Sequence, residues 1–208
     1  MSNSLYLNIF QLKETTTENV KKTKQKKEKG KKKKRKVLTA ALVEEVMVSS
    51  TQKNDDQKWG KQYAIDGKIS STYTGFYKSG KGDTAPWLQL KLVSPQIVSG
   101  LEVVNRADSG GERLKKLEIR AGMKPVPDGK GKPLLTQNER VAFFDGPGVT
   151  GKTHKIIFEK PILAQYITLQ LTASKTLQIN EVRVLVQRMN SGIDQSYINL
   201  EIVLHIIL

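Results

Sequence analysis

The segment WLQLKLV, residues 87–93, places Leu88, Leu90 and Leu92 on one side of an extended chain and Trp87, Gln89 and Lys91 on the other. A helix cannot gather residues of period two onto one face, so this stretch predicts a strand with one buried side. LEIR (117–120) and ITLQLT (167–172) repeat the pattern. From residue 37 onward, β-rich segments recur between Gly, Pro, Asp and Asn, at 37–48, 87–93, 97–105, 114–120, 140–144, 155–158, 164–172 and 177–186. Segments of helical period are missing; only 38–47, with its AALVEEVM, reads either way. Short alternating segments with turn punctuation predict an all-β fold, an antiparallel jelly-roll β-sandwich.

Charge divides the chain differently. Residues 1–36 carry thirteen Lys or Arg against three Glu, leaving a net of only +5 of the total +15 on residues 37–208. The run KKTKQKKEKGKKKKRK, 21–36, is self-repelling and is expected to be a disordered, solvated tail. Its sharper readings are nuclear targeting or contact with a polyanion such as nucleic acid, a heparin-like polymer or anionic lipid. The run has no aromatic residue for base stacking, so such contact would be unspecific. The expected organisation is a tail at 1–36, a sandwich at 37–188 and an extension at 189–208. The N-terminal stretch lacks the apolar core of a signal peptide, and no run approaches the ~18 apolar residues of a membrane span. The chain as written reads as soluble and cytosol-compatible.

With no cysteine and two histidines, His154 and His205, thiolate metal sites are excluded and a Ser-His-Asp triad has little material. GPGVTGKT, 146–153, fits both G-x-x-x-x-G-K-[ST] and G-x-G-x-x-G. A phosphate loop needs a helix after its glycines, whose N-terminus faces the phosphate. Here HKIIFEKP follows, which reads as a strand ending in a turn, so GPGVTGKT is expected to be a hairpin-type connection.

The more informative stretch is VVNRADSGGERLKKLEIRAG, 103–122. Arg106, Asp108 and Arg113 crowd a glycine-containing loop between two strands, where Asp108 could orient both guanidinium forks. Such an array suits sugar hydroxyls, a carboxylate or a sulfate. The alternative is a loop ion-pair network without a ligand. No set of general acid, base and nucleophile accompanies it, so the chain is not expected to be an enzyme.

The pattern Arg-x-Asp-x-x-x-x-Arg, after a strand ending in Asn, resembles the sugar-binding motif of the F-type lectins, the fucolectins and tachylectin-4/pentraxin-like domains of the discoidin-like, galactose-binding superfamily. Ser49-Ser50, YAIDG (63–67), APW (85–87), PILAQYITLQL and LQINEVRV extend the resemblance in order and spacing. It implies a carbohydrate-binding module, for fucose-type glycans, with Arg106 and Arg113 donating to sugar oxygens and Asp108 holding both. It also implies a structural calcium ion, with carboxylates from Asp66 and Glu181 and mainly backbone carbonyls from Tyr63, Lys68, Phe76 and Asn180. Family lectins often have a small residue where Phe76 sits. The family histidine of the sugar site falls on Ser79, with Lys78 and Gly80 beside it. The adjacent cysteines that pack on fucose fall on Ser109 and Gly110.

These departures imply weakened, redirected or lost sugar binding. Phe76 or Tyr77 could supply an aromatic face to a sugar, Trp87 is expected to plug the core, and Trp59 to anchor the loop before AIDG. The second functional reading is a degenerate lectin fold that binds proteins or polyanions. The resemblance also admits a homo-oligomer, and its members are typically secreted.

Overall fold

The computed structural model describes residues 38–126, 137–172 and 176–187, all within the second of the chain's two units, Val37–Leu208. The tail expected over 1–36 and the extension over 189–208 lie outside the described residues. The described strands are β1 (Leu38–Ala40), β2 (Val43–Val48), β3 (Tyr77–Lys78), β4 (Trp87–Asn105), β5 (Leu117–Gly122), β6 (Glu139–Phe144), β7 (Thr153–Leu171) and β8 (Gln178–Gln187). Every pairing among them is antiparallel. The segment 38–47, which read either way, is strand: β2 pairs with β4 from Val43↔Leu92 to Val48↔Leu88.

Two 19-residue strands, β4 and β7, each occupy the place of two expected shorter ones. The first half of β4 lies between β2 and the second half of β7, and that part of β7 continues the sheet to β5 and β6. The second half of β4 pairs with the first half of β7 and with β8, which holds β1 and β3 on its far edge. One ladder thereby folds over into the two layers of a sandwich.

The bend is visible in the register. Lys91 faces Tyr166 and Gln96 faces Ala164, so four residues of β4, 92–95, stand against one of β7; Val98 faces Ile162 and Gly100 faces Ile157, so four residues of β7, 158–161, stand against one of β4. Pro95 and Pro161 sit in these two interruptions. Proline has no N–H to give a ladder and is tolerated at a bulge. The sequence reading ended strands at these prolines, whereas the chain runs through them as bulged, continuous strands. Gly100 allows the closest approach at the bend, since a Cβ there would stand 2.5 Å from the Ile156 carbonyl oxygen.

Bulges also switch which alternate residues face inward. Buried Leu88, Leu90 and Leu92 give way to Leu101 and Val103 on β4, and Ile179 gives way to Val182, Val184 and Val186 on β8. These residues join Leu117, Ile119, Ile167, Leu169 and Leu171 in one apolar cluster shared by both layers. Trp87 is buried, as expected. It is 9% exposed but stands outside that cluster, on the same side of β4 as Gln89, whose amide donates to Thr168 Oγ1 at 2.8 Å.

The connection from β2 to β3 carries one turn of helix, α1 (Asp56–Trp59), flanked by 3-10 turns at Gln52–Asn54 and Lys61–Ala64. Asp55 caps α1 by accepting from the Lys58 amide, which satisfies one of the unpaired amides of a helix start. Trp59 anchors this connection as expected: it is buried, and its indole N–H donates to the Tyr73 carbonyl at 3.0 Å. Among the described residues no helix is long and apolar enough to cross a membrane.

Candidate functional site

β4 ends at Asn105, and the chain then needs a frame for its arginines. The buried Asn105 side chain supplies it: Nδ2 donates to the carbonyls of Gly111 (2.7 Å) and Val149 (3.1 Å), while Oδ1 accepts from the Arg106 amide (2.9 Å). Gly110, at φ 70°, feeds a 3-10 turn over Gly111–Arg113. A non-glycine residue resists that φ. The loop is then held from outside by residues of GPGVTGKT. The Gly148 amide donates to the Leu114 carbonyl at 2.7 Å and the Gly151 amide to the Arg106 carbonyl at 2.8 Å. Thr150 Oγ1 accepts from the Gly111 amide at 3.0 Å, and a Cβ on Gly111 would lie 2.3 Å from the Thr150 backbone nitrogen.

These bonds decide the phosphate-loop question. The amides of Gly148, Gly151 and Lys152 are spent on protein carbonyls and that of Val149 on His154, and a 19-residue strand follows where a nucleotide site requires a helix. The expectation of a hairpin is corrected. β6 pairs with β5, β5 pairs with β7, and no ladder joins β6 to β7, so the segment is a crossover that clamps the arginine loop. His154, just beyond it, accepts from the Val149 amide at 3.2 Å and packs 4.8 Å from the Phe144 ring; burial holds its imidazole below the usual range.

The expected trio is only partly assembled. Arg106 is 1% exposed, with its guanidinium 5.1 Å above the Phe76 ring. Its Nε donates to Asp108 Oδ1 at 2.7 Å, its Nη2 to Asp108 Oδ2, and its Nη1 to Gln178 Oε1 at 2.7 Å. Asp108 is therefore a bidentate partner of Arg106 alone, correcting the expectation that it orients both forks. Although burial pushes the Asp108 carboxyl up, the Arg106 bonds and the Ser109 amide hold it below its ordinary value. Nor does the trio stand open as a unit: Arg106 is sunk, whereas Arg113 is exposed and reaches across Gly110, with its Cζ 3.1 Å from where a Gly110 Cβ would be.

Arg113 lines a cavity of about 410 Å³. Lys78 lines it from β3, Tyr73, Lys81 and Asp83 from the connections on either side of β3, Gln52 from the turn before α1, Thr176 from just before β8 and Gln178 from its first residue. Gln178 links this wall to the Arg106–Asp108 pair beneath. Asp83 is already engaged: its Oδ2 accepts from Ser49 Oγ (2.5 Å) and Ser50 Oγ (2.6 Å), and its Oδ1 from the Ala85 amide (3.1 Å). Ser49-Ser50 thus fixes one side of the cavity. Gln52 Oε1 is buried without a partner among the described residues.

Two further expectations are corrected here. Ser79 is fully buried and does not line the cavity; its Oγ accepts from the Leu177 amide at 3.0 Å, tying β3 to the start of β8. The strand alternation turns Lys78 to the cavity instead. Phe76 and Tyr77 are fully buried, Phe76 beneath Arg106 and Tyr77 in the core, where its hydroxyl donates to the Ser50 carbonyl at 3.1 Å. Neither offers a face to a ligand. Tyr73, 57% exposed, does. The sequence reading missed Tyr73, Lys81, Asp83, Gln52, Thr176 and Gln178. A lone aromatic among small residues in SSTYTG is the one signal that could have pointed to Tyr73.

At the neighbouring corner, the 63–76 connection meets β8. Glu181 is 4% exposed; its Oε2 accepts from the Gly67 amide at 3.1 Å, and its Oε1 lies 4.0 Å from Arg183 Nε. Burial pushes its carboxyl up, opposed by the Gly67 amide and Arg183, and the Asp66 charge adds to the rise. The Asn180 side chain is spent on Ser70, accepting from its amide (3.0 Å) and donating to its carbonyl (3.1 Å), and on the Asn105 carbonyl (3.3 Å). The register jumps from Val104↔Glu181 to Asn105↔Ile179, so Asn180 has no partner residue on β4. Asp66 Oδ1 accepts from the Lys68 amide at 2.9 Å, and the Tyr63 hydroxyl donates to the Gln57 carbonyl. Among the described residues no three His, Cys, Asp or Glu side chains gather as a metal cluster.

Comparison with known proteins gives these observations a setting. The F5/8 type C domain matches residues 46–182. A fucolectin of Anguilla anguilla is 28% identical over 126 residues, covering 60% of this chain and 75% of the relative. A solved fucolectin from Morone saxatilis serum superposes with a TM-score of 0.59 at 25% identity, over 72% of this chain and 49% of that one. The chain thus spans only about half of the striped-bass lectin. The lectin domain of lectinolysin, solved with Lewis B antigen, shares the fold at a TM-score of 0.52 and 22% identity, over 69% of this chain and 93% of that one.

Proposed function

Since the chain belongs to the F5/8 type C domain family and its domain is of the F-type lectin kind, we propose that it is a carbohydrate-binding module whose saccharide sits in the Tyr73–Lys78–Arg113 cavity. The carrying observation is that cavity, about 410 Å³ and lined almost wholly by hydrogen-bonding side chains around one exposed aromatic ring. Such a volume suits one or two sugar rings. Arg113 donates its open fork to ring substituents, and the Tyr73 ring offers the apolar platform that sugar faces need. Arg106, itself held by Asp108, fixes the Gln178 side chain of the cavity wall. The name fucolectin of the Anguilla relative and the Lewis B antigen bound by the lectin domain of lectinolysin make fucose-bearing oligosaccharides the first ligands to try.

The same reading includes a structural calcium ion at the 63–76 corner. The donors fit it. Asp66 and Glu181 would supply charge, with a buried carboxylate poorly neutralised by its own neighbours. Tyr63, Lys68, Phe76 and Asn180 would supply backbone carbonyls, because the Asn180 amide is spent and the Phe76 side chain is buried. Calcium takes six to eight oxygens of this mixed kind. When bound it would cross-link the connection to β8 and so hold Tyr73 and Lys78 in place. A polyanion contact through the Lys-rich 21–36 segment belongs to the proposal as a separate function.

A glycan array probed with the intact chain, with and without a chelator, tests both parts. We expect selective binding to a small set of oligosaccharides, weakened by chelation and in Glu181→Gln. A flat profile across the array would refute the saccharide reading. A selective profile and a melting temperature both indifferent to chelation would remove the calcium ion.

A further inference from the structure

Resting on the reading that this cavity is the saccharide site, we propose that its ligand is an anionic saccharide, one carrying a sulfate or carboxylate group. Three cationic side chains, Lys78, Lys81 and Arg113, line the cavity against one carboxylate, Asp83. Among the described residues none of the three has a carboxylate partner. Asp83 is engaged by three donors of its own and pairs with none of the three, so its single charge leaves the cavity lining with an excess of two positive charges.

Lys78 is the sharpest element. It is 7% exposed, and its ammonium donates to the Tyr73 hydroxyl at 3.0 Å while lying 4.7 Å from the Tyr73 ring centroid and 5.5 Å from that of Trp59. A nearly buried ammonium held, among the described residues, by a phenol and two π faces remains undercompensated. Its field is felt at Tyr73, whose phenol is held below the usual range chiefly by the bond to Lys78. Arg113 supplies a planar fork suited to two oxygens of one sulfate or carboxylate. A neutral sugar would leave the nearly buried Lys78 ammonium without a counter-charge. An acidic sugar places its charge among them and keeps the Tyr73 platform.

Calorimetric titration of the full chain tests this with ligands of one skeleton: galactose, galactose 6-sulfate and galacturonic acid, with sodium sulfate as the bare-anion probe. Monosaccharides of single charge avoid multivalent capture by the 21–36 lysines. We expect at least one charged sugar to bind on the order of tenfold or more tighter than galactose, and that preference to vanish in Lys78→Gln and Arg113→Gln. Should Lys78→Gln fail to fold, the exposed Arg113→Gln carries the test. Equal binding of charged and neutral sugars overturns the inference and leaves the saccharide reading intact. A preference unchanged in both variants overturns it too, since the attraction then arises elsewhere. Sulfate binding as tightly as the sulfated sugar overturns it as an anion site without sugar recognition. No binding by any sugar, with selective oligosaccharide binding also missing from the array, removes both readings.

Discussion

The body of the sandwich and its loop end are built on opposite principles. In the body, position is set by side-chain alternation: Leu88, Leu90, Leu92, Ile167 and Leu169 are all fully buried, and backbone ladders hold them in register. At the loop end, position is set by glycines, an asparagine and short polar bonds, and the largest fully buried side chain is an arginine, Arg106. The body is stable because many apolar contacts act in concert. The loop end holds charges in fixed places because few, directional bonds leave them no alternative. Stability and recognition are thus separable in this molecule, and substitutions should divide them.

The largest effect belongs to the body. Leu169→Ala should cost about 2–5 kcal/mol of stability in a denaturant titration, while the folded fraction keeps its ligand preference. At the junction, Gly111→Ala drives a Cβ into the Thr150 backbone. We expect a loss of about 1–3 kcal/mol, as for overpacking, together with weakened glycan binding as the arginine loop shifts. A Gly111→Ala protein that is destabilised yet binds normally would break the claim that the 145–152 crossover positions the site.

Smaller still is the pH response of the loop end. The Asp108 carboxyl, at 3.8 ordinarily, is lowered in the fold. A lowered carboxyl contributes stability that is complete above its unfolded value and is lost as pH falls through the folded one. Melting temperatures followed downward from about pH 5 should therefore fall more steeply for the intact chain than for Asp108→Asn. Superimposable slopes would mean that the Arg106–Asp108 pair does not support the fold.

The same division explains what the sequence disclosed. Alternation made part of the body legible: β5 falls where period two places it, because one buried face leaves a repeating mark, whereas β6 and β8 were marked by β-rich composition between turn residues. The prolines misled, since Pro95 and Pro161 read as strand ends, while a bulge accommodates a residue without an N–H and lets β4 and β7 continue. At the loop end, Arg106, Asp108 and Arg113 were legible as a motif. Their division into a buried pair and an exposed partner was not, because it depends on Gln178, 72 positions away, and on Phe76 beneath. Ser79 and Lys78 show the limit most plainly. Neighbours in sequence, they point to opposite sides of β3, and only the pairing of that two-residue strand with β8 decides which one meets the cavity.

The most direct test of this account compares two exposed arginines, Arg113 at the loop end and Arg140 on β6 of the body. Their affinities for the best ligand of the array, as Arg113→Ala and Arg140→Ala, should part company. Both should melt within about 0.5 kcal/mol of the parent. Arg113→Ala should lose on the order of tenfold or more in affinity and Arg140→Ala essentially none. Equal losses, or none in either, would contradict a saccharide site in the Arg113 cavity.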